Sequence, residues 1–272
     1  MKDVAFGQYY STNSFVHKMD ARVKILLVIA YIVAVFLVKQ FHFLGFLACF
    51  SFVVITTIFA KVPFFKVLRS IKGILIFIIL SAILQLFFNN SDTAIIFEWS
   101  FIKITKNGLL SAGFIIARIT LIVLGASLLT LTTSPVEIAD GIESLLTPLK
   151  WIKFPVHEFA LIMSIALRFI PTLLEETDRI IKAQKARGAD FETGNIFKRA
   201  KALIPVLIPL LIGSFRRADE LADAMDARCY SGSKNRTKYK KLIPTWRDLV
   251  AVIVMTGLIF GIVYLNGFYL FL

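Results

Sequence analysis

Few side chains in this 272-residue sequence combine type and spacing in a way that supports catalysis. The three histidines, His17, His42 and His157, stand far apart and lack the spacing that gathers metal ligands. His157-Glu158 has no second histidine four residues on, so it is not the metalloprotease pattern. Glu175-Glu176 could serve a metal or a proton, but Glu175 with Arg179, and Asp178 with Lys182, are four apart and favour a solvated helix face. No Gly-x-x-x-x-Gly-Lys-Ser/Thr loop is present, so ATP is not bound by that route. Cys49 lies in an apolar run and reads as a small packing residue; Cys229 has no resolving partner beside it. What remains is the chemistry of arginine: Arg118 inside an apolar run, and Arg187 and Arg228 near the ends of charged helices. A guanidinium forks onto carboxylates or carbonyls, which is chemistry of holding rather than turnover.

Arg118 carries a cost of at least about 2.5–3.5 kcal/mol in the middle of a span unless it is paired or solvated. One reading makes it a contact to another membrane subunit or a relay toward the charged helices. The other makes it an internal cap on carbonyls or a partner of a side chain such as Gln85.

The elements that position these residues are set by hydropathy. The sequence is 57% hydrophobic with a mean hydropathy of +0.77, more apolar surface than a soluble domain of this length can bury. The net charge of +13 lies between apolar runs, which points to membrane topology rather than to nucleic acid. Residues 25–38 and 43–60 form a tight hairpin of two uncharged runs; the first is short, and a re-entrant segment fits it as well. Further runs are residues 73–90, about 108–131 with Arg118 inside, and 249–272. Lys18, Arg22 and Lys24 precede the first run, and Lys61, Lys66, Arg69 and Lys72 follow the second. The positive-inside rule then puts the N-terminus in the cytoplasm and gives an odd number of spans, most simply five, in the cell membrane. The expected fold is an all-α polytopic membrane protein with about five transmembrane helices and a cytoplasmic part of one short and two long helices. The expected divisions are residues 1–133 with four spans, 134–247 with the cytoplasmic helices and a basic linker, and 248–272 with the last span.

The cytoplasmic stretch opens with Ser134-Pro135-Val136-Glu137, a capping box with proline at the first helical position. That helix should end near Pro148. A second should run from about Pro155 to Arg187, kinked at Pro171 and stopped by Gly188. A third should run from about Asn195 to Arg228, with Ser231-Gly232 as the turn out. Residues 182–247 carry fifteen basic and six acidic residues, so export of this block as extra spans is disfavoured. Long amphipathic helices lying against the membrane are expected instead. The two long helices finish alike: Asp178, Ala183, Ala186 and Arg187 recur as Asp219, Ala224, Ala227 and Arg228 at an offset of 41. From spacing alone, two ordinary C-terminal arginines on solvated ends account for this as well as a docking motif does.

The residues Met163-Ser-Ile-Ala-Leu-Arg-Phe-Ile-Pro171, Glu175-Glu176 and Ala183-Gln-Lys-Ala-Arg-Gly188 resemble the transmembrane T component of energy-coupling factor transporters. So do His17-Lys-Met-Asp-Ala-Arg-Val-Lys24, Arg118, Thr132-Thr-Ser-Pro-Val-Glu137 and Asp226-Ala-Arg-Cys-Tyr230. The resemblance covers about residues 7–232 and looks closer to the shared, vitamin-serving group than to the cobalt or nickel systems. It implies a non-enzymatic subunit without its own cofactor. Two cytosolic ABC-type ATPases would bind ATP, and a separate membrane S component would bind the substrate. It implies that Ala186-Arg187-Gly188 and Ala227-Arg228-Cys229 dock into grooves on the ATPases. The second copy departs from the glycine form. Cysteine is less comfortable in a left-handed cap, so this helix is expected to end one or two residues later, toward Gly232. The rivals are a self-contained permease or channel, which would need polar groups along a path, and an intramembrane enzyme, which would need clustered carboxylates or histidines.

Overall fold

The computed structural model describes residues 9–39, 42–88, 95–99, 102–152, 155–191, 193, 195–230, 232 and 245–268. Among these residues the structure is helical apart from one short hairpin. In order, the elements are α1 (Ala21–Leu37), α2 (Phe43–Ala60), α3 (Phe64–Lys72), α4 (Leu75–Phe88), β1 (Ile95–Trp99), β2 (Ile102–Thr105) and α5 (Lys106–Thr132). They are followed by α6 (Pro135–Leu145), a 3-10 turn (Thr147–Ile152), α7 (Val156–Ala186), α8 (Ile196–Ala227) and α9 (Trp246–Phe268). The chain divides into two compact units. Among the described residues, one comprises 9–142 with 245–268 and the other comprises 143–232.

By length and composition α2, α5, α7 and α9 can each cross a membrane. At 17 residues, α1 reaches only about 25 Å, short of a typical hydrocarbon core. The third apolar run forms α4, a helix of 14 residues that is too short to cross alone. The amphipathic α3 precedes α4 with a 62° bend between them, a broken span or a re-entrant loop. Residues 73 and 74 fall in that bend, and residues 89 and 90 lie outside those described. The following connection carries the antiparallel pair β1–β2, with positions 98 and 103 facing each other in the register. α7 is apolar enough to cross only through its first half, because its second half is heavily charged.

In the first unit α1, α2, α5 and α9 pack around Tyr31, Val35, Val53, Leu124, Leu131 and Ile262, all nearly inaccessible. Small residues let these helices approach. A Cβ added at Gly45 would lie 2.8 Å from Val38 Cγ1, so this glycine closes the α1–α2 hairpin. A Cβ at Gly125 would lie 2.3 Å from Tyr31 Cε1, inside the ring's contact surface. Tyr31 stacks on Phe52 and donates to the Cys49 carbonyl at 3.4 Å, so it has little room to yield. Gly125→Ala is therefore expected to destabilise the unit by about 1–3 kcal/mol. Thermal unfolding in detergent would measure this; an unchanged midpoint would mean that α1 and α5 can separate without cost.

A polar knot joins the ends of three helices. Asp20 caps α1 by accepting from Arg22 N–H at 2.9 Å, and its own N–H donates to Asp248 Oδ1 at 2.9 Å. Asp248 Oδ2 accepts from Thr245 N–H at 2.6 Å, so one carboxylate ties the start of α9 to the start of α1. Buried Lys24 donates to the carbonyls of His17 and Thr132, each at 3.1 Å, and to Thr133 Oγ1 at 3.3 Å. His17 bridges Tyr10 O at 2.8 Å and Ser14 Oγ at 2.7 Å, and burial pushes its pKa below the ordinary imidazole value. The motif from His17 to Lys24 thus builds the joint at which α5 hands over to α6. There the expected capping box forms in both directions: Glu137 N–H to Ser134 Oγ at 3.3 Å and Ser134 N–H to Glu137 Oε2 at 3.2 Å.

Candidate docking tips and the helix crossing

Both long helices end in the same backbone device. In α7 the Ala189 N–H donates to Gln184 O and the Gly188 N–H to Lys185 O, both at 3.0 Å, with Gly188 at φ +86°. In α8 the Tyr230 N–H donates to Met225 O at 3.1 Å and the Cys229 N–H to Asp226 O at 2.9 Å, with Cys229 at φ +56°. Each is a Schellman cap whose left-handed residue follows the arginine directly. The expectation that α8 would run on toward Gly232 is corrected: it ends at Ala227, and Cys229 itself takes the left-handed conformation. A side chain there costs about 1–2 kcal/mol. The hydrogen bonds that satisfy the last carbonyls offset this. The two positions that such a cap brings together, Met225 and Tyr230, are also of the apolar kind that favours it. Arg187 and Arg228 consequently occupy the same site on equivalent caps, and both are exposed along with Ala186, Gly188, Ala227 and Cys229. Cys229→Gly is expected to leave the cap in place and raise stability by up to about 1 kcal/mol. A lowered unfolding midpoint would show that the thiol has a packing role of its own.

The two helices meet, at what is here termed their crossing, through residues bearing the same offset as their tips. Glu176 of α7 forms an ion pair with Arg217 of α8, and these positions are 41 apart, as are Arg187 and Arg228. Gly213 makes room for the carboxylate; a Cβ there would sit 3.3 Å from Glu176 Oε1. Eleven residues, three turns or about 16 Å, separate the ion pair from each arginine. The arms beyond the crossing are therefore equal in length. Sequence reasoning placed Glu175-Glu176 together on a solvated face. Glu175 does lie 3.9 Å from Arg179 with both exposed, but Glu176 turns to the other helix. The signal was available, since the offset of the tips applied to Glu176 leads to Arg217.

Arg118 finds an internal partner. Its Nη2 donates to the Val38 carbonyl at 2.6 Å, and its guanidinium lies 5.7 Å from the Phe46 ring centre. Asn266 of α9 donates to the adjacent Leu37 carbonyl at 2.7 Å. Together they cap the C-terminal end of the short α1, whose last carbonyls lack helical partners. Arg118→Leu is expected to destabilise by about 1–3 kcal/mol by leaving the Val38 carbonyl unpaired, with partial recovery in Arg118→Lys. Equal losses in both variants, measured by thermal unfolding, would mean that the fork geometry matters more than the charge.

The sequence profile of the CbiQ, cobalt transport protein, family matches residues 12–239. The chain is 48% identical over 251 residues to the energy-coupling factor transporter transmembrane protein EcfT of Clostridium kluyveri, covering 92% of each. It is 47% identical to the protein of the same name from Acidaminococcus fermentans, covering 98% of each. To that of Bacillus subtilis it is 43% identical, covering 96% of this chain and 98% of the relative. Capped arginine tips, the crossed pair of long helices and the apolar spans thus occur in a chain that belongs to the CbiQ family, alongside these energy-coupling factor transporter transmembrane proteins.

Proposed function

We propose that this chain is the energy-coupling subunit of a micronutrient uptake transporter of the vitamin-serving kind. In this reading α7 and α8 lie against the cytoplasmic side of the membrane. Ala186-Arg187-Gly188 and Ala227-Arg228-Cys229 seat in grooves on two cytosolic ATPase subunits. ATP binding draws those subunits together, the tips follow, and the arms turn about the Glu176–Arg217 crossing. The motion passes to the spans and to the S component that holds the substrate. The observation that carries the reading is the equivalence of the two tips: one cap, one arginine, one distance from the crossing.

A solute-binding permease fits less well. The cavity of about 460 Å³ in the unit of α1, α2, α5 and α9 is lined chiefly by apolar side chains such as Phe15, Leu27, Phe52, Phe59 and Met255. Lys24, which also lines it, already donates to three oxygens. Isolation of the tagged chain from its native membrane tests the proposal. ATPase subunits and a small membrane protein are expected to come with it, and ATP hydrolysis to require the ATPases. Solute binding or turnover by the chain alone would overturn it.

A further inference from the structure

The two arms repeat one another in charge position and oppose one another in charge sign. From Glu175 to Gly188 and from Arg216 to Cys229, the same seven positions are charged at the offset of 41. Only Asp178 with Asp219, and Arg187 with Arg228, keep their sign. Glu175, Glu176, Arg179, Lys182 and Lys185 are matched by Arg216, Arg217, Glu220, Asp223 and Asp226. Beyond the crossing, α7 carries four positive charges and one negative, and α8 carries four negative and one positive. One inversion is used between the helices, in the Glu176–Arg217 pair. The outer ones are placed differently. Lys182 and Lys185 follow Glu176 by six and nine residues, which turns them about 120° and 180° away from the direction of α8. Asp223 and Asp226 are turned from α7 in the same way, and all four residues are exposed. Arg187 and Arg228, eleven residues on, return to the crossing direction.

We infer that the arginines are the common grip and that the inverted charges sort the partners. The α7 tip fits a receiving surface rimmed by carboxylates, and the α8 tip fits one rimmed by lysines or arginines. The two ends cannot exchange places, because the wrong pairing sets like charges against one another at contact distance, where salt screens least. This rests on the docking role proposed above and adds the rule that orients the chain on its ATPases.

The test uses the complex that co-purifies with the full chain. A photo-cross-linking amino acid at Ala189 or Tyr230 reports which ATPase subunit lies beside each tip. Each position is expected to label one subunit and not the other. Lys182→Asp with Lys185→Asp should lower labelling from the α7 tip by about ten-fold or more and spare the α8 tip. Asp223→Lys with Asp226→Lys should do the reverse. Lys182→Arg with Lys185→Arg, which keeps charge, should label as the parent does. Labelling of both subunits from each tip, unchanged labelling in the charge variants, or equal loss at both tips would overturn the sorting rule. If Arg187→Glu and Arg228→Glu detach the ATPases while these variants change nothing, the sorting rule alone fails. If the arginine variants also stay attached, the docking role itself fails.

Discussion

Arg187→Glu combined with Arg228→Glu is expected to abolish recovery of the ATPase subunits with the chain and to abolish uptake. Each guanidinium sits on a rigid cap and is exposed, as a docking contact must be. Replacing a buried interface arginine by a carboxylate removes a contact worth about 2 kcal/mol or more and adds repulsion. At about 1.4 kcal/mol per ten-fold, one tip loses roughly 30-fold in affinity and both together about 1,000-fold. The single variants should be milder than that arithmetic suggests, since the second tip holds the partner at high effective concentration. Each is expected to retain the ATPase on the intact tip while uptake falls. Arg187→Lys should not behave as the parent, because an ammonium cannot fork onto two acceptors. Quantitative pull-down at fixed salt, with uptake in cells, reads all of this. A double variant that keeps both ATPases and full transport would remove the tips from the mechanism.

Charge reversal at the crossing should uncouple the machine without detaching it. Arg217→Glu places two carboxylates together at the point where α7 and α8 meet, and Glu176→Arg places two guanidiniums there. A charged hydrogen bond contributes about 1.5–3 kcal/mol, and each partner here is about 28% exposed, so solvent holds the value toward the lower end. Repulsion adds to the loss in either single variant. The tips are untouched, so the ATPases should still co-purify and hydrolyse ATP, while uptake per ATP falls several-fold. Glu176→Arg combined with Arg217→Glu restores opposite charges at equivalent positions and should recover much of the uptake. That recovery is the coupling energy of the pair, read as the departure from additivity in a double-mutant cycle. Additive losses in the double variant would show that the contact is incidental to coupling.

Much of this molecule is legible in the sequence because much of it is set locally. Uncharged runs of about twenty residues place the apolar helices, since a span must satisfy its backbone within itself. Ser134 and Glu137 specify the start of α6 within four residues, and Gly188 specifies the end of α7. The offset of 41 that equates the two tips is plain in the order of the residues. What the sequence did not decide are outcomes of packing between distant segments. Arg118 caps a carbonyl 80 positions away, at the end of a helix too short to complete itself. Glu176 leaves its neighbour Arg179 to Glu175 and pairs across the crossing, where Gly213 makes room. The third apolar run forms α4, and a 62° bend at its start turns it from the amphipathic α3, an angle that hydropathy cannot report because it carries no direction. Cys229 adopts a left-handed cap that residue preference argues against, since the hydrogen bonds closing α8 outweigh about 1–2 kcal/mol of local strain. Local rules thus set where helices begin, end and repeat; only the tertiary structure, by choosing which distant groups share a contact, decided which charges hold the fold and which face outward.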